Sequence, residues 1–159
     1  MGNSKPSIKY AATFKYKIPL PSPMTAIDAS GAPIPLRLLL AAIFLVHGYP
    51  KLFKDFKGTA GFLASIGFKP GVFWAFVLGV TEFFGAIAIL IGVFSRVVAG
   101  MLIISMSIAT LTKIFKWKKP FSGENGWEFD ALIVAALIAL FLLGSGTWSI
   151  DQAVGWMWG

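Results

Sequence analysis

Four long apolar stretches fill most of the chain after residue 35, and the second of them carries an acid, Glu82, near its middle. A run of roughly 20 apolar residues is what an α-helix needs to cross a hydrocarbon core about 30 Å thick. A helix also satisfies its own backbone groups where no water can. The stretches predict helices over residues 36–53, 72–94, 96–115 and 129–143. The second is the hardest to insert, yet the magnitudes favour it. Its 14 Leu, Ile, Val and Phe residues over 72–94 contribute about −6 kcal/mol, against roughly +3 kcal/mol for the acid.

Composition leads to the same solvent. A 159-residue chain that is 57% hydrophobic and 13% charged has more apolar surface than one small soluble core can hide. The net charge of +7 raises the question of nucleic acid, but no basic face interleaved with aromatics and no reader motif is present. The lysines flank the apolar runs instead, where topology signals and anionic lipid contacts place them. No nucleic acid partner is expected.

Short connections then set the topology. Phe94-Ser95-Arg96 joins the second and third helices as a tight antiparallel hairpin. The other two connections are longer, and residues 55–66 place Phe56, Ala60, Leu63 and Ile66 at near-helical spacing, as in a short helix lying in the membrane interface. The side with the longer loops carries Lys51, Lys54, Lys57, Lys69, Lys113, Lys116, Lys118 and Lys119, which assigns it to the cytoplasm and puts both termini outside. The expected fold is therefore all-α: an integral membrane four-helix bundle over residues 36–151, with a short interfacial helix and an extended N-terminal arm. That arm, residues 1–35, has prolines at 6, 19, 21, 23, 33 and 35 and lacks the apolar core of a secretory signal. Residues 152–159 form a Trp-rich interfacial tail, and Trp148, Trp156 and Trp158 make an aromatic belt on the outer side.

Ionisable groups inside spans are costly and default to functional candidates, with helix-to-helix pairing as the alternative. Arg37, His47 and Lys51 fall within an arc of about 80° at 100° per residue, so one face of the first helix is polar. Pro50 cannot donate to Val46, which leaves an acceptor beside the histidine. Glu82 shares its face with Ala75, Gly79, Gly85 and Ala86, small residues that allow close packing. Arg96, Gly100, Ser107 and Thr110 align on the third helix, and Glu128 shares a face with Ala131, Ala135 and Ala139 on the fourth. Glu82 and His47 are the candidates for proton transfer. Lys51, Lys113 and Glu128 are expected to converge with them as a ligand-binding or structural polar cluster. Arg37, Arg96 and Asp151 are expected to pair near the outer side.

Several chemistries have no ligands here. Cysteine is absent, which removes disulfides, thiolate metal sites and iron–sulfur clusters from this chain. One histidine cannot make a bis-histidine haem site, and no carboxylate and histidine group has metal-ligand spacing, so no metal is expected. No phosphate-cradling glycine loop or Ser, His and acid motif is present. The Phe and Trp residues could line a quinone pocket or simply face lipid.

Certain strings resemble a known family. Arg37 opening an apolar helix, then His47-Gly48-Tyr49-Pro50-Lys51-Leu52-Phe53 and Gly61-Phe62-Leu63-Ala64-Ser65-Ile66-Gly67, is similar to the start of the DoxX-like four-helix membrane proteins. Glu82-Phe83-Phe84-Gly85, Phe94-Ser95-Arg96, Gly126-Trp127-Glu128 and the stretch from Gly144-Ser145-Gly146 through Ser149-Ile150-Asp151 follow in the same order. The resemblance spans about residues 36–151 and marks His47, Lys51, Glu82, Arg96 and Glu128 as polar positions. It implies a membrane subunit of a quinone-linked respiratory or sulfur-oxidising complex, with other membrane subunits, lipid and quinone as partners, in a prokaryotic cell membrane. It leaves open a catalytic role, passing electrons from thiosulfate to quinone with Glu82 and His47 handling protons. A chaperone or cargo receptor is the third reading. No cofactor is expected on this chain alone beyond a quinone. The proline-rich arm exceeds the family pattern and favours docking onto partners.

Overall fold

The computed structural model describes residues 29–156. The prolines of the arm before residue 29 and Trp158 of the tail lie outside them. All regular secondary structure among the described residues is helical, with no strand. They form α1 (Pro33–Tyr49), α2 (Phe56–Ser65), α3 (Gly71–Ile91), α4 (Ser95–Leu111), α5 (Glu128–Leu143) and α6 (Ile150–Val154).

Two boundaries differ from expectation for clear reasons. The first helix starts at Pro33 and not at residue 36, taking two prolines from the presumed arm. Proline is tolerated in a first turn, where the backbone N–H has no helical partner anyway. At their other ends α1 and α4 both widen into a five-residue π-turn, Pro50–Lys54 and Thr112–Lys116. There Asp55 N donates to Pro50 O at 2.8 Å and Trp117 N donates to Thr112 O at 3.1 Å, each reaching back five residues.

With these turns included, Pro33–Lys54, Gly71–Ile91 and Ser95–Lys116 are long and apolar enough to cross a membrane. The expected fourth span corresponds to α5, whose 16 residues measure about 24 Å at ~1.5 Å per residue. That falls short of a core about 30 Å thick.

α1 packs against α3 and α5, and α4 packs against the same two helices, which closes a ring. Its core is Leu40 and Phe44 of α1, Ala86 and Ile89 of α3, Ala99 and Leu102 of α4, and Ile133, Leu137 and Leu140 of α5. The spacing of three and four along each helix puts these side chains on one stripe. At Gly48 the backbone of α1 lies directly against α3: an added Cβ would lie 2.8 Å from Phe83 N and 3.0 Å from the Glu82 Cβ. That contact requires glycine, and it sets the depth at which α1 meets Glu82. Ala60 and Leu63 of α2 form a second cluster with Ala75 of α3, so α2 lies along the start of α3.

Candidate functional site

The bundle has two polar ends. At the hairpin end Arg37 is buried and donates four hydrogen bonds to backbone carbonyls: Ile89 at 2.9 Å, Leu90 at 2.8 Å, Ser145 at 2.8 Å and Trp148 at 2.6 Å. Two of these acceptors belong to the last turn of α3, where carbonyls lack helical partners and the helix dipole favours a cation. Asp151 is also buried and accepts from Phe94 N at 2.9 Å and Ser95 N at 3.2 Å, at the start of α4, where the dipole favours an anion. Gly92 sits between them in the left-handed region at φ 72°. Arg37 and Asp151 thus grip two sides of one turn through its backbone, and they form no ion pair with each other. Arg96 makes no hydrogen bond or ion pair among the described residues, and its Nε is buried.

At the lysine-rich end the polar groups pair through side chains. Lys51 Nζ lies 2.6 Å from Glu82 Oε1 and 2.7 Å from Oε2, a two-pronged contact with a carboxylate that is itself buried. Lys113 Nζ lies 2.6 Å from Asp130 Oδ2. Each lysine rides on one of the two π-turns, which are found often at functional sites.

The widened turn explains why His47 stands apart. Counting at 100° per residue puts His47 and Lys51 together, but that angle does not hold through a π-turn. The buried stripe of α1 is Arg37, Leu40, Ala41, Phe44 and Gly48. His47 falls beside it, is exposed, makes no hydrogen bond among the described residues and does not reach the cleft described below. Glu128 is likewise exposed and outside the cluster. The buried stripe of α5 is Asp130, Ile133, Leu137 and Leu140. Glu128 is two residues from Asp130, about 200° around the helix, so Asp130 takes the lysine that Glu128 was expected to meet.

Both paired lysines border a cleft of about 600 Å³ between α2, α3 and α4. Its walls are mostly apolar, including Phe62, Phe68, Trp74, Leu78, Met101 and Ile104. α2 lies over the lysine-rich end of this cleft. Lys116 Nζ donates to Ser65 O at 3.0 Å, and the Phe62 and Trp117 rings are 5.7 Å apart, which ties α2 to the π-turn after α4. Asp55 caps α2 by accepting from Gly58 N at 3.1 Å.

Two hydroxyls in the cleft were not singled out from sequence. Thr81, beside Glu82, and Ser105 on α4 both line it and make no side-chain hydrogen bond among the described residues. Thr110 and Thr112 contrast with them, donating one turn back to Met106 O and Ile108 O at 2.8 Å each. Among the described residues no three of His, Asp and Glu come together in the manner of a metal site.

The DoxX family model matches residues 32–115, from the start of α1 into the second π-turn. This chain belongs to the DoxX family. The match takes in Lys51, Glu82, Lys113, Thr81 and Ser105, and so nearly the whole cleft; Trp117 and Asp130 lie beyond it. Among similar DoxX proteins, one of Bacillus subtilis named "Putative oxidoreductase CatD" is 34% identical over 119 residues, covering 75% of this chain and 84% of the relative. "Uncharacterized membrane protein Rv3486" of Mycobacterium tuberculosis is 30% identical over 143 residues, covering 83% and 88%. "Inner membrane protein YphA" of Escherichia coli is 29% identical over 134 residues, covering 77% and 93%. No solved structure matches. The family and the apolar helices make this an integral membrane protein.

Proposed function

We propose that this DoxX protein is a membrane subunit that holds a quinone for a redox complex whose electron carriers sit on partner chains. One observation carries the reading: an apolar, aromatic cleft at membrane depth has a buried carboxylate, Glu82, bridged to Lys51 on its wall. Sites for small organic ligands combine apolar walls of this volume with a few placed polar groups. The name of the Bacillus relative supports a redox setting, and a chain without cysteine holds no iron–sulfur cluster of its own, which favours electron carriers on partner chains.

A quinone becomes a quinol by taking up two electrons and two protons. Lys51 and Glu82 are suited to the proton side. The ammonium can hydrogen-bond a carbonyl oxygen while it neutralises the acid, and the carboxylate beside it is placed to give or take a proton. The role is accessory to the partner's chemistry. In this reading α5 crosses as a fourth, short span, completed by the segments flanking it. α2 lies in the interface, and the lysine-rich end faces the cytoplasm with both termini outside.

The test is extraction of native membranes in mild detergent, followed by mass spectrometry and assay of quinone reduction. The chain is expected in an assembly with redox-cofactor subunits, and Glu82→Gln should slow quinone reduction at least tenfold without disturbing that assembly. Recovery of the chain alone, or an unchanged rate in the variant, overturns the proposal.

A further inference from the structure

We infer that the ligand of the cleft is a long-chain quinone that enters sideways from the bilayer. The hydroxyls of Thr81 and Ser105 bond its head group, and its chain leaves between Met101 and Ile104. The inference rests on the quinone reading above and adds to it the class of quinone, its route and the residues that position it.

The route follows from exposure. Ile104 and Met101 line the cleft, yet they are 63% and 47% exposed. Both lie well inside the span Ser95–Lys116, away from its ends. A wall residue that is open at that depth opens to hydrocarbon and not to water. The water-facing end is the one that α2 covers, tied by Lys116 to Ser65 and by Phe62 to Trp117. The α4 wall from Met101 to Thr112 runs about 16 Å at ~1.5 Å per residue, longer than one substituted ring. An amphiphile with a compact head and an apolar chain fits this shape, and a soluble aromatic would leave the lipid side unfilled.

The head group follows from charge and hydrogen bonding. The cations at the cleft are already neutralised, Lys51 by Glu82 and Lys113 by Asp130. Neither lysine lining the cleft is left over for an anionic phospholipid head, which would lie close to the carboxylates of Asp55 and Glu82. A neutral carbonyl meets no such penalty. Thr81 and Ser105 offer donors that nothing among the described residues accepts. A hydroxyl left unsatisfied in an apolar wall is costly, whereas a quinone oxygen would accept from it. The two sit on facing helices, so they address one ring from two sides. Neither residue handles protons in this scheme: they set where the ring lies against the Lys51–Glu82 pair.

The experiment uses the full chain in nanodiscs of uncharged phosphatidylcholine, with two azido-benzoquinones that share one ring, a decyl-chain probe and a methyl probe. Labelled peptides are mapped by mass spectrometry. Saturable labelling by the decyl probe is expected on α3 and α4 around Thr81 and Ser105. The half-saturating concentration should rise at least tenfold for the methyl probe, and also for the Thr81→Val/Ser105→Ala variant. Ile104→Trp should cut decyl labelling severalfold and leave methyl labelling as it was, while Leu132→Trp on the exposed face of α5 should change neither. Thermal unfolding of each variant checks that it is folded. Equal labelling by the two probes, with no effect of Ile104→Trp, removes the sideways route and leaves the quinone reading standing. Undiminished labelling in the double hydroxyl variant removes Thr81 and Ser105. If neither probe labels saturably, the quinone reading itself fails.

Discussion

The two ends of the bundle spend their buried charges differently. At the hairpin end Arg37 and Asp151 bond only to backbone, on opposite sides of the turn between α3 and α4. At the lysine-rich end Lys51 and Lys113 form ion pairs with the side chains of Glu82 and Asp130, and both lysines border an open cleft. Backbone groups cannot be substituted away, so a charge that satisfies them is part of the fold. A side-chain pair can be replaced as a unit, which frees it for a ligand. Under the proposed function, the contrast gives structure to one end and chemistry to the other.

The largest test of that contrast is Arg37→Ala. It removes the side-chain donor of four carbonyls, two of them in fully buried contacts, at ~1–3 kcal/mol for each group left unsatisfied after partial relaxation, and should lower stability by more than about 4 kcal/mol or prevent accumulation of folded protein. Thermal unfolding in detergent reads this directly. Lys51→Met should come next, at about 3 kcal/mol, because Glu82 is left buried without its partner. Adding Glu82→Leu to it should restore stability to wild-type or above while abolishing quinone labelling, since buried pairs exchange well for apolar residues of like size. If Arg37→Ala cost less than Lys51→Met, or if the double variant stayed unstable, the division between the ends would break.

Gly92→Ala sharpens the hairpin side. Its φ of 72° disfavours any Cβ, and that Cβ would lie 2.8 Å from Arg37 Nη2. A loss of about 1–2 kcal/mol is expected from unfolding curves. Lys116→Ala should be smallest, about 0.5 kcal/mol in global stability. Its signature is local: faster amide exchange across α2, whose tie to the π-turn it removes, with the hairpin end unchanged.

Much of the fold was legible from sequence because hydrocarbon leaves few options. The apolar runs fixed where α1, α3, α4 and α5 lie, and the stripe of small residues around Glu82 is the buried stripe of α3. What resisted reading was angle. Assigning Glu128 to the cluster followed an alanine face, whereas the buried face is the one bearing Asp130 and three large aliphatics. Placing His47 with Lys51 assumed a regular helix, and no local signal in Pro50 or Thr112 announced a π-turn. Arg37 and Asp151 do meet one turn at the hairpin end, but side-chain patterns carry no trace of backbone groups as their partners. Thr81 and Ser105 drew no notice because a hydroxyl in a membrane helix ordinarily bonds its own backbone, as Thr110 and Thr112 do.

The reach of Arg37 gives the molecule an order of completion. Its guanidinium belongs to α1, yet two of its four acceptors, the carbonyls of Ser145 and Trp148, lie 108 and 111 residues further along the chain. Asp151, which steadies the start of α4, comes later still. A chain cut short before these residues would leave Arg37 with only the Ile89 and Leu90 carbonyls and the start of α4 without Asp151. The hairpin end is thus sealed only when segments more than 100 residues apart meet at one turn.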